Sequence, residues 1–172
     1  SNASISPVNL RGMLNELLHQ GAQTTAINQI DEDVINLVSM MFEFILDDRN
    51  LAAPMKALIG RLQIPMVKVA IADKSFFSKG GHPARRLLNE MAMACLGWQE
   101  SADEHQRKDS LYNKMEETVR TILTEFDTDM EIFDRLLVDF RSYLDKEKRR
   151  AQILEQRTID AEDGKAKSER AR

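Results

Sequence analysis

The chain has 172 residues, 42% of them apolar and 30% charged, with a net charge of −4. That length carries one domain with a genuine core. A single cysteine excludes an internal disulfide and suits a reducing cytoplasm, and no apolar run approaches the roughly 20 residues a membrane span needs. Seven Gly and four Pro, against nine Met and abundant Leu, Glu, Lys and Arg, favour helix over sheet. No secretory signal is legible at the start. Ser1-Asn2-Ala3 reads as an expression-tag remnant, and the rest as a piece of a longer protein.

In chain order, Ser6-Pro7 is a helix start, followed by the stripe Leu10, Leu14, Leu17 and Leu18 and a stop at Gly21. After the polar connector Gln23–Gln29, a second helix begins near Asp31. Its apolar positions Val34, Ile35, Leu37, Val38, Met41, Phe42, Ile45 and Leu46 are broad enough to place it centrally in a bundle. Asp47–Asn50 is a turn. Pro54 opens a third helix, which Pro65 is expected to end or kink. A helical pattern resumes to Asp73, and Ser75–His82 is a loop containing Gly80-Gly81. His82-Pro83 starts a fourth helix that ends near Gly97-Trp98, and a fifth runs from about Ala102 to Phe126. Thr128 and Glu131 form a capping box for a sixth, helical toward Thr158. Asp160–Arg172, almost without apolar residues, is expected to be disordered.

The expected fold is all-α: an antiparallel bundle of five or six helices with an extended C-terminal helix. A short α-solenoid is the alternative. The expected division is a tag remnant over 1–3, a helical domain over 4–144, and a charged helical extension with a disordered tail over 145–172.

Charge is distributed in blocks. Residues 1–48 carry −6, residues 49–86 carry +7, residues 87–144 carry −7 and residues 145–172 carry +2. The basic block holds eight Lys/Arg and one acid, Asp73, and ends in Lys79-Gly80-Gly81-His82-Pro83-Ala84-Arg85-Arg86. Arg85 and Arg86 fall in the first turn of a helix, where a cation is unfavourable by about 0.3–1 kcal/mol. Internal pairing is the expected compensation, Arg86 with Glu90 and Arg85 with the Asp47-Asp48 turn. The alternative is that Lys79, His82, Arg85 and Arg86 contact an anion or a partner's carboxylate at the helix N-terminus. Arg61 and Lys68 share a face only if a helix continues through Pro65.

No catalytic residues, cofactor site or metal site are legible. His19, His82 and His105 are scattered, and Cys95 reads as a small core residue. The paired carboxylates Asp31/Asp33, Asp47/Asp48 and Asp127/Asp129 sit at helix ends, where capping explains them. Met40/Met41 and Met91/Met93 are expected to fill the core rather than line a peptide groove. Acidic flanks and the lack of interleaved exposed aromatics disfavour nucleic acid. The expected role is therefore a non-enzymatic interaction or scaffold domain of a larger cytoplasmic regulatory protein. Its partner would be another protein or other domains of the same protein, without membrane contact. An apolar seam over Leu144–Thr158 offers a homodimer through the C-terminal helix. The alternative is an enzyme or receptor for a phosphate or nucleotide at the Lys79–Arg86 corner.

Three blocks carry a resemblance: Leu58-Ile59-Gly60-Arg61-Leu62-Gln63-Ile64-Pro65-Met66-Val67-Lys68-Val69-Ala70, Asp73-Lys74-Ser75-Phe76-Phe77, and His82-Pro83-Ala84-Arg85-Arg86-Leu87-Leu88-Asn89. In this order they resemble the bacterial domain-of-unknown-function family numbered 1631, over about Asp31–Trp98 and more loosely beyond. The resemblance implies a helical middle region of a large regulatory protein, with no catalytic residues to carry over. Members are sometimes labelled thymidine phosphorylase, but this chain has neither a phosphate-binding glycine loop in an α/β setting nor a nucleoside-pocket signature. Some relatives end in a cyclic-di-GMP-binding β-barrel, whose Arg-rich arm and Asp-x-Ser-x-x-Gly signature are absent here.

Overall fold

The computed structural model describes residues 11–16, 29–100 and 110–170. Among them every regular element is a helix: α1 (residues 11–16), α2 (Gln29–Leu46), α3 (Ala53–Gly60), α4 (Gln63–Ala72), a 3-10 turn (Lys74–Phe77), α5 (Pro83–Cys95), α6 (Ser110–Glu125) and α7 (Glu131–Arg170). The fold is all-α, with an extended C-terminal helix. The Ser6-Pro7 start, the Gly21 stop, His19, His105 and the expected start of the fifth helix at Ala102 lie outside the described residues.

The chain divides into two compact units, Ser1–Leu137 and Val138–Arg172. In the first, α2 lies along α4, α3 packs on α5 and α6, and the 3-10 turn bridges α4 and α5. The core gathers Ile35, Phe42, Met55, Ile59, Leu62, Met66, Phe76, Leu87, Leu88 and Phe133, all essentially inaccessible. Cys95 is buried as a small core residue. A hydrogen bond from Gly97 N to Asn50 O (2.9 Å) ties the end of α5 to the turn after α2.

Several starts and stops differ from expectation for local reasons. Pro65 neither ends nor kinks a helix. The break falls earlier, at Arg61-Leu62, so Pro65 occupies the first turn of α4, where its missing N–H leaves no bond unmade. Gln63 Nε2 donates to Gly60 O (3.0 Å), tying α4 back to the end of α3. Arg61 thus lies in the connection and Lys68 in α4. At the start of α7, Asp129 Oδ1 rather than Thr128 supplies the side-chain acceptor, taking the N–H of Glu131 at 2.9 Å.

The helix α2 is less central than its apolar positions suggest. Val34, Ile35, Val38 and Phe42 are buried, but Ile30, Leu37, Met40 and Phe44 face outward. Periodicity marks which residues share a face of a helix, not how many of its faces are covered.

The second unit is the remainder of α7. It stays helical to Arg170, where disorder was expected from Asp160 onward. Glu, Lys, Arg and Ala are good helix formers, and the backbone is supported locally rather than by burial. Gln156 Nε2 donates to Asp160 Oδ1 (3.0 Å), and Thr158 Oγ1 donates to Leu154 O (3.0 Å).

Candidate functional site

Two surfaces merit description, and the first is the basic corner. Asp73 initiates it by accepting from Ser75 N (3.0 Å) and Ser75 Oγ (2.7 Å), which winds Lys74–Phe77 into one 3-10 turn. Phe76 is driven into the core and meets Phe77 edge-on at 4.8 Å. The chain then reverses through Gly80 (φ 89°) and Gly81 (φ 73°), a region that side-chain-bearing residues resist.

His82 caps α5. Its Nδ1 accepts from Ala84 N at 3.0 Å, so in the neutral ring Nε2 carries the hydrogen, 3.5 Å from Asp73 Oδ2. The ring is buried, 6.3 Å from both Phe76 and Phe133. This is a helix cap built from a core aromatic.

The arginines close the corner from the other side. Arg85 Nε donates to Phe76 O (2.6 Å) and its Nη2 to Ser78 O (3.0 Å). Arg86 Nε donates to Gly80 O (2.5 Å). Both helix-start cations thus find acceptors within the chain. For Arg85 the acceptors are main-chain carbonyls instead of the Asp47-Asp48 turn. Asp48 instead caps that turn, accepting from Asn50 N at 2.8 Å. Charge-assisted bonds of this kind contribute about 1.5–3 kcal/mol each, which outweighs the roughly 0.3–1 kcal/mol cost of a cation at a helix start. The structure thus brings His82, Arg85 and Arg86 together around Ser78–Gly81, while Lys79 stays exposed on the loop. Lys74 turns elsewhere, donating to Asp31 Oδ1 at 2.7 Å.

The two bonds from Ser75, with His82 nearby, hold the Asp73 carboxyl below the usual aspartate range. A carboxyl depressed on folding stabilises the fold above its unfolded value, roughly 3.9, and loses that contribution as pH falls through the lowered folded value. Denaturation of the wild type and Asp73→Asn should therefore give parallel stabilities above about pH 5. Below pH 4 the wild type should lose more stability than the variant. Equal acid limbs would show that Asp73 contributes nothing there.

The second surface lies where the methionine pairs of α2 and α5 were expected to fill the core. Met41, Phe44, Ile45, Asp48, Leu51, Asn89, Ala92, Met93 and Leu96 line a groove of about 300 Å³ between α2 and α5. Phe44 is 84% exposed and Met93 70%, values that core residues never reach. Met91 fills the core as expected, but Met40 and Met93 do not. Methionine lining suits a surface that must adapt to an apolar guest. The signal available in the sequence was Phe44, apolar on the flank of α2 that Phe42 does not occupy.

The groove is electrostatically one-sided along α2, which contains Asp31, Glu32, Asp33 and Glu43 and no Lys or Arg. Asp47 and Asp48 extend this character into the turn. No group of three or more metal-ligating side chains occurs among the described residues, and no described helix is long and apolar enough to cross a membrane.

Neither a curated protein nor a solved structure matches this chain. A family model described as "Protein of unknown function (DUF1631) 2nd domain" matches residues 1–129, which include α2 to α6, the basic corner and the groove. The chain belongs to the DUF1631 family and carries its second domain.

Proposed function

We propose that this chain is a non-enzymatic protein-interaction domain of a larger bacterial cytoplasmic regulatory protein, docking an apolar segment in the α2–α5 groove. The observation that supports it is the exposure of Phe44 over a Met-lined cleft rimmed by Asp48. Apolar residues at such density on one face are a mark of contact surfaces.

Phe44→Glu tests this reading, because an exposed side chain is replaced and folding should be kept within about 0.5 kcal/mol. The variant should melt like the wild type, bind less of an apolar fluorescent dye, and lose partners captured by the wild-type parent protein. Unchanged dye binding and capture would remove the groove from consideration.

The competing reading, a phosphate or nucleotide at Lys79, His82, Arg85 and Arg86, finds less support, since three of the four already serve the loop and helix internally. A ligand at a hundredfold excess over its Kd adds about 2.7 kcal/mol of stability, several degrees in Tm. Phosphate and a nucleotide panel should produce no such rise. A rise abolished by Lys79→Ala would reinstate the anion site.

A further inference from the structure

We infer that the acidic apolar stripe of α2, with its groove, receives the basic segment 146–157 of α7 from a second copy of the chain. The inference rests on the reading of the groove as a docking surface and names its occupant.

The donor is a short amphipathic stripe. Lys146, Arg150, Ile153 and Arg157 recur at helical spacing on one face, flanked by Arg149 and Leu154. These six line one shallow surface, with four cations around two exposed aliphatic side chains and no acid among them. Glu147 stands at the edge, 3.8 Å from Arg150 Nη1.

The acceptor has the opposite character. Ile30, Leu37 and Phe44 repeat every seven residues along α2 and are all exposed, with Met40 beside them. Asp33 lies between Ile30 and Leu37 on that face, and Asp48 borders the groove at the far end. The stripe from Ile30 to Phe44 is about 21 Å long and that from Lys146 to Arg157 about 16 Å, at 1.5 Å per residue. One helix therefore lies within the length of the other, in the way amphipathic helices occupy apolar grooves.

Charge decides among the possible pairings. Two α7 stripes side by side would bring eight basic side chains together, and in a pair of α2 stripes every charged side chain would be an acid. The crossed pairing places basic against acidic and aliphatic against aromatic. Each copy carries both stripes, and in the assembly inferred here the contact is made twice about a two-fold axis, so that it closes at two chains. A homodimer through the C-terminal helix then arises without α7 pairing with itself.

The test uses the full chain, with mass measured by analytical ultracentrifugation from micromolar to millimolar concentration. The wild type should dimerise, with a dissociation constant that rises with salt. Phe44→Glu and the double variant Ile153→Glu/Leu154→Glu should each weaken it by about tenfold or more, as removal of central apolar contacts does. Both sites are exposed, and matching thermal melts will verify folding. Mixing the two variants leaves one intact contact, groove on one chain and stripe on the other, so heterodimers should form where neither variant self-associates.

A dimer untouched by Phe44→Glu, species larger than two chains, or variants that fail to complement would overturn the crossed pairing. A wild type that stays monomeric while Phe44→Glu still abolishes dye binding would end this inference and leave the groove reading standing. A monomer whose dye binding ignores Phe44→Glu would end both.

Discussion

Replacing Phe76 by alanine should lower stability by about 3–5 kcal/mol, the usual cost of deleting a fully buried phenyl group. The side chain is inaccessible and touches Phe77 and the His82 ring. The same residue supplies the carbonyl that Arg85 holds at 2.6 Å, so its backbone position is fixed from both sides. A cavity here loosens the 3-10 turn, the cap of α5 and the arginine clasp together. Urea denaturation followed by circular dichroism will read the loss. Phe44→Glu provides the contrast, a phenylalanine of the same domain whose replacement should cost almost nothing. A loss below about 1 kcal/mol for Phe76→Ala would mean that the corner is not anchored through the core.

Gly81→Ala should cost about 2–3 kcal/mol, for two separable reasons. The positive φ of 73° strains any residue with a Cβ, at about 1–2 kcal/mol. In addition, an added Cβ would lie 2.7 Å from the guanidinium carbon of Arg85. The guanidinium can swing aside at little steric cost, but only by releasing the Phe76 and Ser78 carbonyls. Arg85→Met removes those bonds directly. Once they are gone, Gly81→Ala should cost only the backbone part. The double variant should therefore be more stable than the sum of the single losses predicts, with a coupling of about 1 kcal/mol or more. Strict additivity would show that glycine is needed at 81 for its backbone alone.

These two expectations treat the basic corner as scaffold, and the same physics explains why the sequence described it incompletely. Arginine in the first turn of a helix announces a missing acceptor, and the search for it looks naturally to Asp and Glu. For Arg85 the acceptors are carbonyls of Phe76 and Ser78. Every residue carries a carbonyl, so nothing in the side chains marks which ones a fold will turn inward. The His82-Pro83 start was legible because proline fixes the first turn, but Nδ1 as the capping atom required the ring to be pinned between Phe76 and Phe133. Pro65 shows the converse. Proline forbids a helix interior, yet only the break at Arg61-Leu62 decided that it would begin a helix rather than end one.

The groove marks the limit most clearly. Sequence by itself determined that this chain is helical, which residues share the faces of its helices, that Cys95 belongs in the core and where the charge blocks lie. Those properties depend on neighbours three or four residues away, and periodicity records them. It did not determine that Leu37, Met40, Phe44 and Met93 remain uncovered by other described residues, because coverage depends on which helix packs where. Tertiary structure decided that by laying α4 along α2 on the Val38–Phe42 side, leaving Phe44 and the Met93 edge of α5 to form a groove. Arg85 and Arg86, at the end of the basic block that stands out along the sequence, turned inward on main-chain carbonyls, and Leu37, placed among the apolar positions of α2, turned outward beside Phe44.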